Sequence, residues 1–528
     1  MKIWKRICCI AAACCMGLSL AACGRGGVKD DTEYTDEDTI TYKWLIPTQQ
    51  QSSVYNSKII QELRERFNVD FEFSAYPTGE QFNNKKQLAL TGEGEYDIYS
   101  WVTKDEANEY GADEMFVDLS EYTEYMPNIM KVAEENPNAK YNLYNGEGSI
   151  FRFPTVEKDP ASSSLEFSVV DAQLEAAGKT LDDLKAWDGF HDTLVAMKGD
   201  KQNYYPFYLR TKALDVQNFL YPFIMSFTKG VTGYYSVTTP AFDHDTQTYK
   251  VPFEVSGYKE AIEFVQSLYT DGLINPNHVA VDNTGTIVES MKKGDTCITY
   301  DYNGGLSGTY TAQKDLSDAH EGWQIVPFSL PQTGEGKEVY GVRAMAFGEN
   351  GTSLSSLMSD SKTLRAVKML DWLYSEEAYD LLYWHEDVSA VDESGNHYYT
   401  NEDMYQSVAS TVDVYLPWSI TALFQSNYYT VLEPDNIFTT FREEVVLNEE
   451  NDDKYVNPVA LSFSFDEQEE ISALQSKVNT YFMMNISGIM RGDSDSSWDE
   501  FVNELKDRGA TRITEIYNQA YQRLYKTA

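Results

Sequence analysis

Cysteine, histidine and positive charge are all scarce in this chain. Of six cysteines in 528 residues, Cys8, Cys9, Cys14 and Cys15 fall in the first apolar stretch and Cys23 closes it, so Cys297 stands alone in the remainder of the chain. A single thiol closes no intrachain disulfide and builds no cysteine-rich metal site. Set in Thr296-Cys297-Ile298-Thr299, which reads as a buried strand, it is a core thiol. The six histidines, at 191, 244, 278, 320, 385 and 397, are scattered, so a metal cluster has no support. Against 83 Asp and Glu there are 42 Lys and Arg, a formal net charge of -41. Such a surface repels phosphate backbones and anionic headgroups, which excludes nucleic acid as a partner. A heavily solvated acidic surface accounts for most of that charge without any ligand.

Catalytic signatures are missing too. No Gly-x-Ser-x-Gly elbow and no phosphate-cradling Gly-x-x-x-x-Gly-Lys-Ser/Thr occurs. His385-Glu386-Asp387-Val388-Ser389 begins like a zinc-protease helix but lacks the second imidazole one turn on. Ser256-Gly257-Tyr258-Lys259 has a Ser-x-x-Lys spacing, yet no Lys-Thr-Gly follows and Ser256 reads as a helix cap. A hydrolase that needs only two opposed carboxylates is not rejected by inspection where 83 are available, and nothing in the pattern supports it. No catalytic residue, metal or cofactor is expected.

What the chain does have is aromatic residues, 38 Tyr, 25 Phe and 9 Trp, more than a disordered acidic chain carries, so it folds. It also has an amino-terminal address. Lys2, Lys5 and Arg6 precede an apolar stretch from Ile7 to Leu20, too short for the roughly 20 residues of a membrane span. Small residues end it, as in a cleaved secretory signal. Leu20-Ala21-Ala22-Cys23 resembles the bacterial lipoprotein signal, in which the cysteine is acylated and becomes the first residue. That resemblance implies a signal peptide over 1–22, two acyl chains giving a lasting anchor, and a location on the extracytoplasmic face of the cell membrane. The competing reading is an ordinary secretory signal with Cys23 incidental. Residues 23–39 read as a disordered tether, and loss of Lys2, Lys5 and Arg6 takes the formal charge to -44.

Beyond the tether, about 490 residues are too many for one core, so two lobes are expected. Tyr42-Lys43-Trp44-Leu45-Ile46 reads as a buried strand, Tyr55 to Phe67 as a helix with Ile59, Ile60, Leu63 and Phe67 on one face, and Val69, Phe71 and Phe73 as a second strand. Strand, helix, strand is a unit of a parallel sheet. Gly92 and Gly94 break the next helix, and Tyr96 to Trp101 reads as a third strand that reaches a loop. Helical stripes come next at Tyr258–Tyr269, closed by Gly272, at Leu364–Leu382 and at Ile471–Phe482, and Ser497-Trp498-Asp499-Glu500 is a capping box.

The order of these segments resembles the family 1 extracellular solute-binding proteins, of the large Gram-positive lipoprotein type, over essentially the whole mature chain. Five stretches carry the likeness: Gly92–Ile98; Phe116-Val117-Asp118-Leu119-Ser120 with Pro127; Asn145-Gly146 to Phe153-Pro154; Asp271-Gly272-Leu273-Ile274-Asn275-Pro276 with Lys368–Ser375; and Trp498-Asp499-Glu500-Phe501-Val502 through Tyr521. Each is weak alone and their order is specific. The resemblance implies an α/β, two-lobed periplasmic-binding-protein-like (type 2) fold with a central cleft and a helix-rich C-terminal region. Lobe 1 is expected over 40–155, lobe 2 over 156–335, a return to lobe 1 over 336–395, and mainly lobe 2 over 396–528. It implies the substrate-binding component of a carbohydrate ABC importer: a monomer that hands a sugar to permease subunits with a separate ATPase. Trp384-His385-Glu386-Asp387-Val388-Ser389-Ala390 departs from the family's Gly-x-Glu-Gly-x-x-Tyr, which leaves ligand contact there open. Lys198-Gly199-Asp200-Lys201-Gln202-Asn203 lacks the alternating carboxylates of the calcium loop that some relatives carry, so no calcium is expected at that point.

Pyranose rings pack their C–H faces on aromatic rings and their hydroxyls against planar donors and acceptors, which selects candidates at strand ends. Trp101 leads, four residues past Asp97 at the expected mouth of the third strand, where an open sheet presents its crevice. In maltodextrin-binding relatives a tryptophan at that spacing contacts ligand; a buried position at the edge of the core is the competing reading. Asp97 itself is included, as is Gln50, in the Gln49-Gln50-Gln51-Ser52 loop after the first strand. Tyr302 and Asn303 close an apolar strand before Gly304-Gly305, which turn chemistry alone also explains. Arg343 is a charge in the apolar Gly341–Ala346 stretch, a cleft residue or half of a structural ion pair. Arg210 and Trp418 complete the set, Trp418 in a loop that suits a packing corner equally well. A surface-anchored polysaccharide-cleaving enzyme and a peptide-binding importer receptor remain the alternatives.

Overall fold

In the strand Ile40–Pro47, Ile40, Tyr42 and Trp44 are buried and Thr41 and Lys43 between them are exposed, after which Leu45 and Ile46 are both buried. The strand therefore enters its sheet with one face covered and ends with both covered. Helix Lys58–Phe67 buries Ile59, Ile60 and Leu63 and stops at Asn68, whose φ of 50° is a left-handed cap. Val69–Tyr76 comes directly after and pairs in parallel with the first strand over its whole length, from Ile40 opposite Val69 to Pro47 opposite Tyr76. The strand, helix, strand unit read from the periodicity is what forms. The computed structural model describes residues 29–48, 54–77, 79–93, 96–135, 139–157, 165–208, 211–232, 236–275, 284–302, 316–334, 336–342, 347–384, 389–391, 397–399, 422–424, 437–441, 455–456, 459–494 and 496–526.

Six strands make the first sheet, in the order Leu423–Phe424, Phe153–Glu157, Phe347–Leu354, Ile98–Thr103, Ile40–Pro47, Val69–Tyr76. Phe347–Leu354 runs antiparallel to both of its neighbours. One face packs Tyr42, Trp44, Ile98, Val367 and Leu370 into a core, and the other packs Leu45, Phe82, Tyr99, Val102 and Phe116. A second sheet is antiparallel, with Leu165–Val170 between Ile298–Tyr302 and Ile325–Phe328. Its core is separate and draws on Phe167, Trp187, Phe223, Val265 and Phe328, together with Val478, Phe482, Phe501 and Ile516 from the C-terminal helices Phe465–Arg491, Trp498–Leu505 and Thr511–Tyr521. Capping boxes at Ser464/Glu467 and Ser497/Glu500 start two of these helices. Two cores on two sheets make two lobes.

The lobe boundaries differ from those expected in two places. Val339 lies in the second core, and Gly341–Val342 pairs with Tyr455–Val456 beside it, so residues 336–342 belong with the second lobe rather than with the return. Ala422 and Leu423 lie in the first core, so the return reaches at least Phe424, past 395. Patterning missed both because two-residue strands leave no periodicity to read. A later passage, 459–464, lies on lobe 1: Ser462 Oγ donates to the carbonyls of Tyr141 and Tyr144, at 2.7 and 3.0 Å. Gly146 permits this approach, since a Cβ there would sit 2.8 Å from the Phe463 carbonyl carbon.

The tether expected over 23–39 is a correction from residue 29 onward. The Asp30 amide donates to the Leu357 carbonyl at 2.8 Å, the Tyr34 amide to Ser361 Oγ at 2.9 Å, and Tyr34 packs on the first core. In the second lobe the Lys198 ammonium donates to the carbonyls of Asp271 and Gly272. Among the described residues no helix is long and apolar enough to cross a membrane.

Candidate functional site

The strands Ile40–Pro47, Val69–Tyr76 and Ile98–Thr103 are parallel and end at one edge, the edge where an open α/β sheet presents its crevice. At that edge the third strand is distorted. Thr103 pairs with Asn350, Val102 with Gly351 and Ser100 with Thr352, so Trp101 is the extra residue of a bulge, and its φ is 55°. It therefore lies inside the strand and not beyond it, because the strand runs to Thr103. Trp101 is half-buried against the cluster that holds Tyr99 and Val102. Its carbonyl accepts from Lys86 Nζ at 2.8 Å, and Lys86 pairs with Glu106 at 2.7 Å. Glu106 also completes a capping box with Thr103, so one buried ion pair fixes both the bulge and the start of helix Lys104–Ala112.

That helix opens on Lys104 and Asp105, at the junction of the lobes. Lys104 Nζ donates to the Tyr141 carbonyl at 2.7 Å and to the Leu461 carbonyl at 3.0 Å, joining lobe 1 to the 459–464 passage. Arg152, just before the Phe153–Glu157 strand, is buried and places Nη1 on the carbonyls of Gly348 and Asn350, at 3.1 and 3.0 Å, while its Nε has no partner. Glu349 lies between those carbonyls in sequence and is exposed, as is Asp105. These charges act on Asp105 and Lys104 in particular. Loss of solvation, then the Glu349 carboxylate, push the Asp105 carboxyl up to about 6. Loss of solvation, then the Arg152 guanidinium, bring the Lys104 ammonium down to about 8. Tyr517, from the C-terminal helices, is pushed up by burial and by Asp105 and Glu349, which places the second lobe beside the same charges. The exposed Asp105 and Glu349 carboxylates offer acceptors to a hydroxyl-rich ligand, while Lys104 and Arg152 are engaged with main-chain carbonyls beneath them.

The other expected site residues divide between the two ends of the sheet and the second lobe. Asp97 stands at the opposite end of the strand from Thr103, about 13 Å along it from Trp101. There its Oδ2 accepts from the Lys43 amide at 2.8 Å and pairs with Lys362 at 2.9 Å. It is a structural acid away from the crevice edge. A polar cavity of about 260 Å³ lies at that far end too, lined by Asp30, Thr41, Lys43, Glu72, Asp97 and Lys362. Tyr302 ends its strand opposite Leu165, where the chain has just entered the second lobe. Gln50, Asn303, Arg210, Arg343, Trp418 and Cys23 lie outside the described residues. Lys104, Asp105, Arg152 and Glu349 were missed because they come from three distant segments. The positional rule that selected Trp101 applies equally to Lys104 and Asp105, directly after the strand.

No family model matches the chain, and no curated protein matches it. Solved structures do. The alginate-binding protein AlgQ2, in its form without calcium ion, is 17% identical and aligns over 93% of this chain and 100% of its own, with a TM-score of 0.71. An HMO binding, ABC-transporter associated solute-binding protein from Bifidobacterium longum infantis is 16% identical over 92% and 99%, with a TM-score of 0.72. The S. pneumoniae ABC-transporter substrate binding protein FusA, in complex with kestose, is 16% identical over 93% and 100%, with a TM-score of 0.69. The fold of this chain is the two-lobed α/β fold of these solute-binding proteins, with a cleft between the lobes.

Proposed function

We propose that this chain is a lipid-anchored solute-binding protein on the extracytoplasmic face of the membrane. It captures a sugar or oligosaccharide between its lobes and delivers it, unaltered, to an ABC-type permease. The observation that carries the reading is the junction edge of the first sheet, where half-buried Trp101 stands on a bulge beside Lys104, Asp105, Arg152 and Glu349. An aromatic face with charged acceptors and donors is what a pyranose requires. Three solved neighbours are described as binding alginate, HMO and kestose, which supports a carbohydrate. Ligand contacts with both lobes favour a hinge-closed state, which a permease then recognises.

The enzyme alternative needs carboxyls on opposite sides of a sugar. Asp105 and Glu349 instead rise from adjacent segments of one lobe, joined by the Thr103 and Asn350 pairing. A thermal-shift screen over a glycan panel tests capture, since a ligand of the folded state raises the melting temperature by mass action. Reducing-end release on a glycan that binds tests delivery without cleavage, and steady product formation overturns it. For the anchor, Cys23→Ala is expected to release the protein from the membrane or block its processing with both lobes folded. An unlipidated wild type that fractionates as the variant does overturns that part.

A further inference from the structure

We propose that residues 29–39 form a docked strap that makes the first lobe, and not the second, the one held against the lipid bilayer. The proposal rests on the anchor at Cys23 put forward above. The strap has a built receptor. The Arg365 guanidinium, on helix Asp360–Trp372, reaches three main-chain carbonyls: Asp38 at 2.6 Å and Asn68 at 3.3 Å through Nη1, and Thr35 at 2.6 Å through Nη2. A cationic fork on carbonyls makes strong, directional bonds. Ser361 Oγ accepts the Tyr34 amide, the Tyr34 ring packs on the first core, and the Asp30 amide is held by the Leu357 carbonyl. The Lys29–Asp360 ion pair, 2.8 Å long and exposed at both ends, adds little alone but marks where docking begins.

Chain length decides what this does. If all of 23–39 were free, the anchor would reach up to about 60 Å, more than the width of a lobe, and either lobe could meet the bilayer. With the strap docked, six peptide steps separate Cys23 from Lys29, a reach of at most about 20 Å. Only the first lobe lies within it. Leu357 comes after the end of the Phe347–Leu354 strand, at the sheet edge opposite Trp101 and Lys104, and an eight-residue strand separates the two edges by about 25 Å. The leash thus holds the molecule at the end remote from the crevice, and the second lobe is the one free to swing on closure.

The test uses the lipidated full chain in phosphatidylcholine vesicles with a headgroup quencher. A fluorophore goes on Glu121→Cys, in the helical turn Leu119–Tyr125 that packs against helix Asp360–Trp372, or on Glu263→Cys, in the second-lobe helix Tyr258–Thr270. The native Cys297 is fully buried and escapes labelling. Quenching is expected to be several-fold stronger at 121 than at 263, and to even out when about twenty Gly-Ser residues are inserted between Gly27 and Val28. Equal quenching without the insertion overturns the proposal. Hydrogen exchange separates the causes of failure. Slow amides at Asp30 and Tyr34 that become fast in Arg365→Ala support the strap, whereas fast exchange in the wild type overturns it whatever the anchor. Slow amides with no acyl mass on Cys23 overturn the anchor, and the bilayer assignment with it.

Discussion

The two edges of the first sheet are built from the same residue types and treat charge in opposite ways. At the amino edge, Asp97 accepts the Lys43 amide and pairs with Lys362, and both side chains are largely buried. At the carboxyl edge, Arg152 spends its bonds on carbonyls and leaves Nε unpaired, Asp105 and Glu349 stand in solvent, and the ionisation of Lys104 and Asp105 is displaced toward neutral pH. Closed ion pairs hold a fold, and charges left perturbed beside a crevice are available to a ligand. The contrast also separates cavity from site, because the polar cavity lies at the edge where Asp97 and Lys362 are already engaged with each other.

The largest expected effect breaks the quiet edge. Asp97→Ala leaves the Lys362 ammonium buried without its partner, and stability should fall by about 3 to 5 kcal/mol. Urea unfolding measures this, and calorimetric titration with a glycan that binds should show affinity unchanged. Lost affinity with intact stability would return Asp97 to the site and erase the contrast. Trp101→Ala is the converse at the other edge, about 1 to 3 kcal/mol of affinity with a smaller loss of stability. Alanine keeps the φ of 55°, so the backbone strain is common to both proteins and the difference reports the ring. A core tryptophan would instead cost roughly 3 to 5 kcal/mol of stability, and that result with unchanged affinity would place Trp101 in the core.

What patterning could read in this chain was what repeats with a period. Ile59, Ile60 and Leu63 mark a helix and Val69, Phe71 and Phe73 a strand, and both stand where their spacing puts them. The third strand was read two residues short because a bulge at Trp101 interrupts alternation, and that error set Trp101 at the strand's mouth when it lies within the strand. Asp97 was grouped with Trp101 by proximity in sequence, although a strand carries four residues about 13 Å apart. The strap over 29–39 looked like a linker since its contacts are mostly main-chain hydrogen bonds to Arg365, Ser361 and Leu357, which no side-chain pattern encodes. Arg152 and Glu349 needed the antiparallel return strand, a pairing between segments some 200 residues apart, to be placed beside Lys104.

The smallest expected effect is a pH signature that belongs to the carboxyl edge alone. In the folded chain the Asp105 carboxyl is raised from its ordinary value of 3.8 to about 6, because crowding by the lobes and then Glu349 disfavour its charge. A carboxyl with a raised folded value holds its proton more tightly when folded. The wild type therefore loses stability as pH rises from about 4 through about 6, and the deficit persists above that window. Asparagine has no charge to disfavour, so Asp105→Asn should match the wild type near the acid end and melt slightly higher at neutral pH. Solvent reaches the Asp105 side chain, so screening keeps the gain to a degree or two. Asp97→Ala, by contrast, removes a partner from Lys362. Melting curves of both variants from about pH 4 to about pH 7 compare the edges directly. A constant offset between Asp105→Asn and the wild type across that range would mean that neither the lobe junction nor Glu349 acts on Asp105, and the charge contrast between the two edges would rest on Arg152 and Lys104 alone.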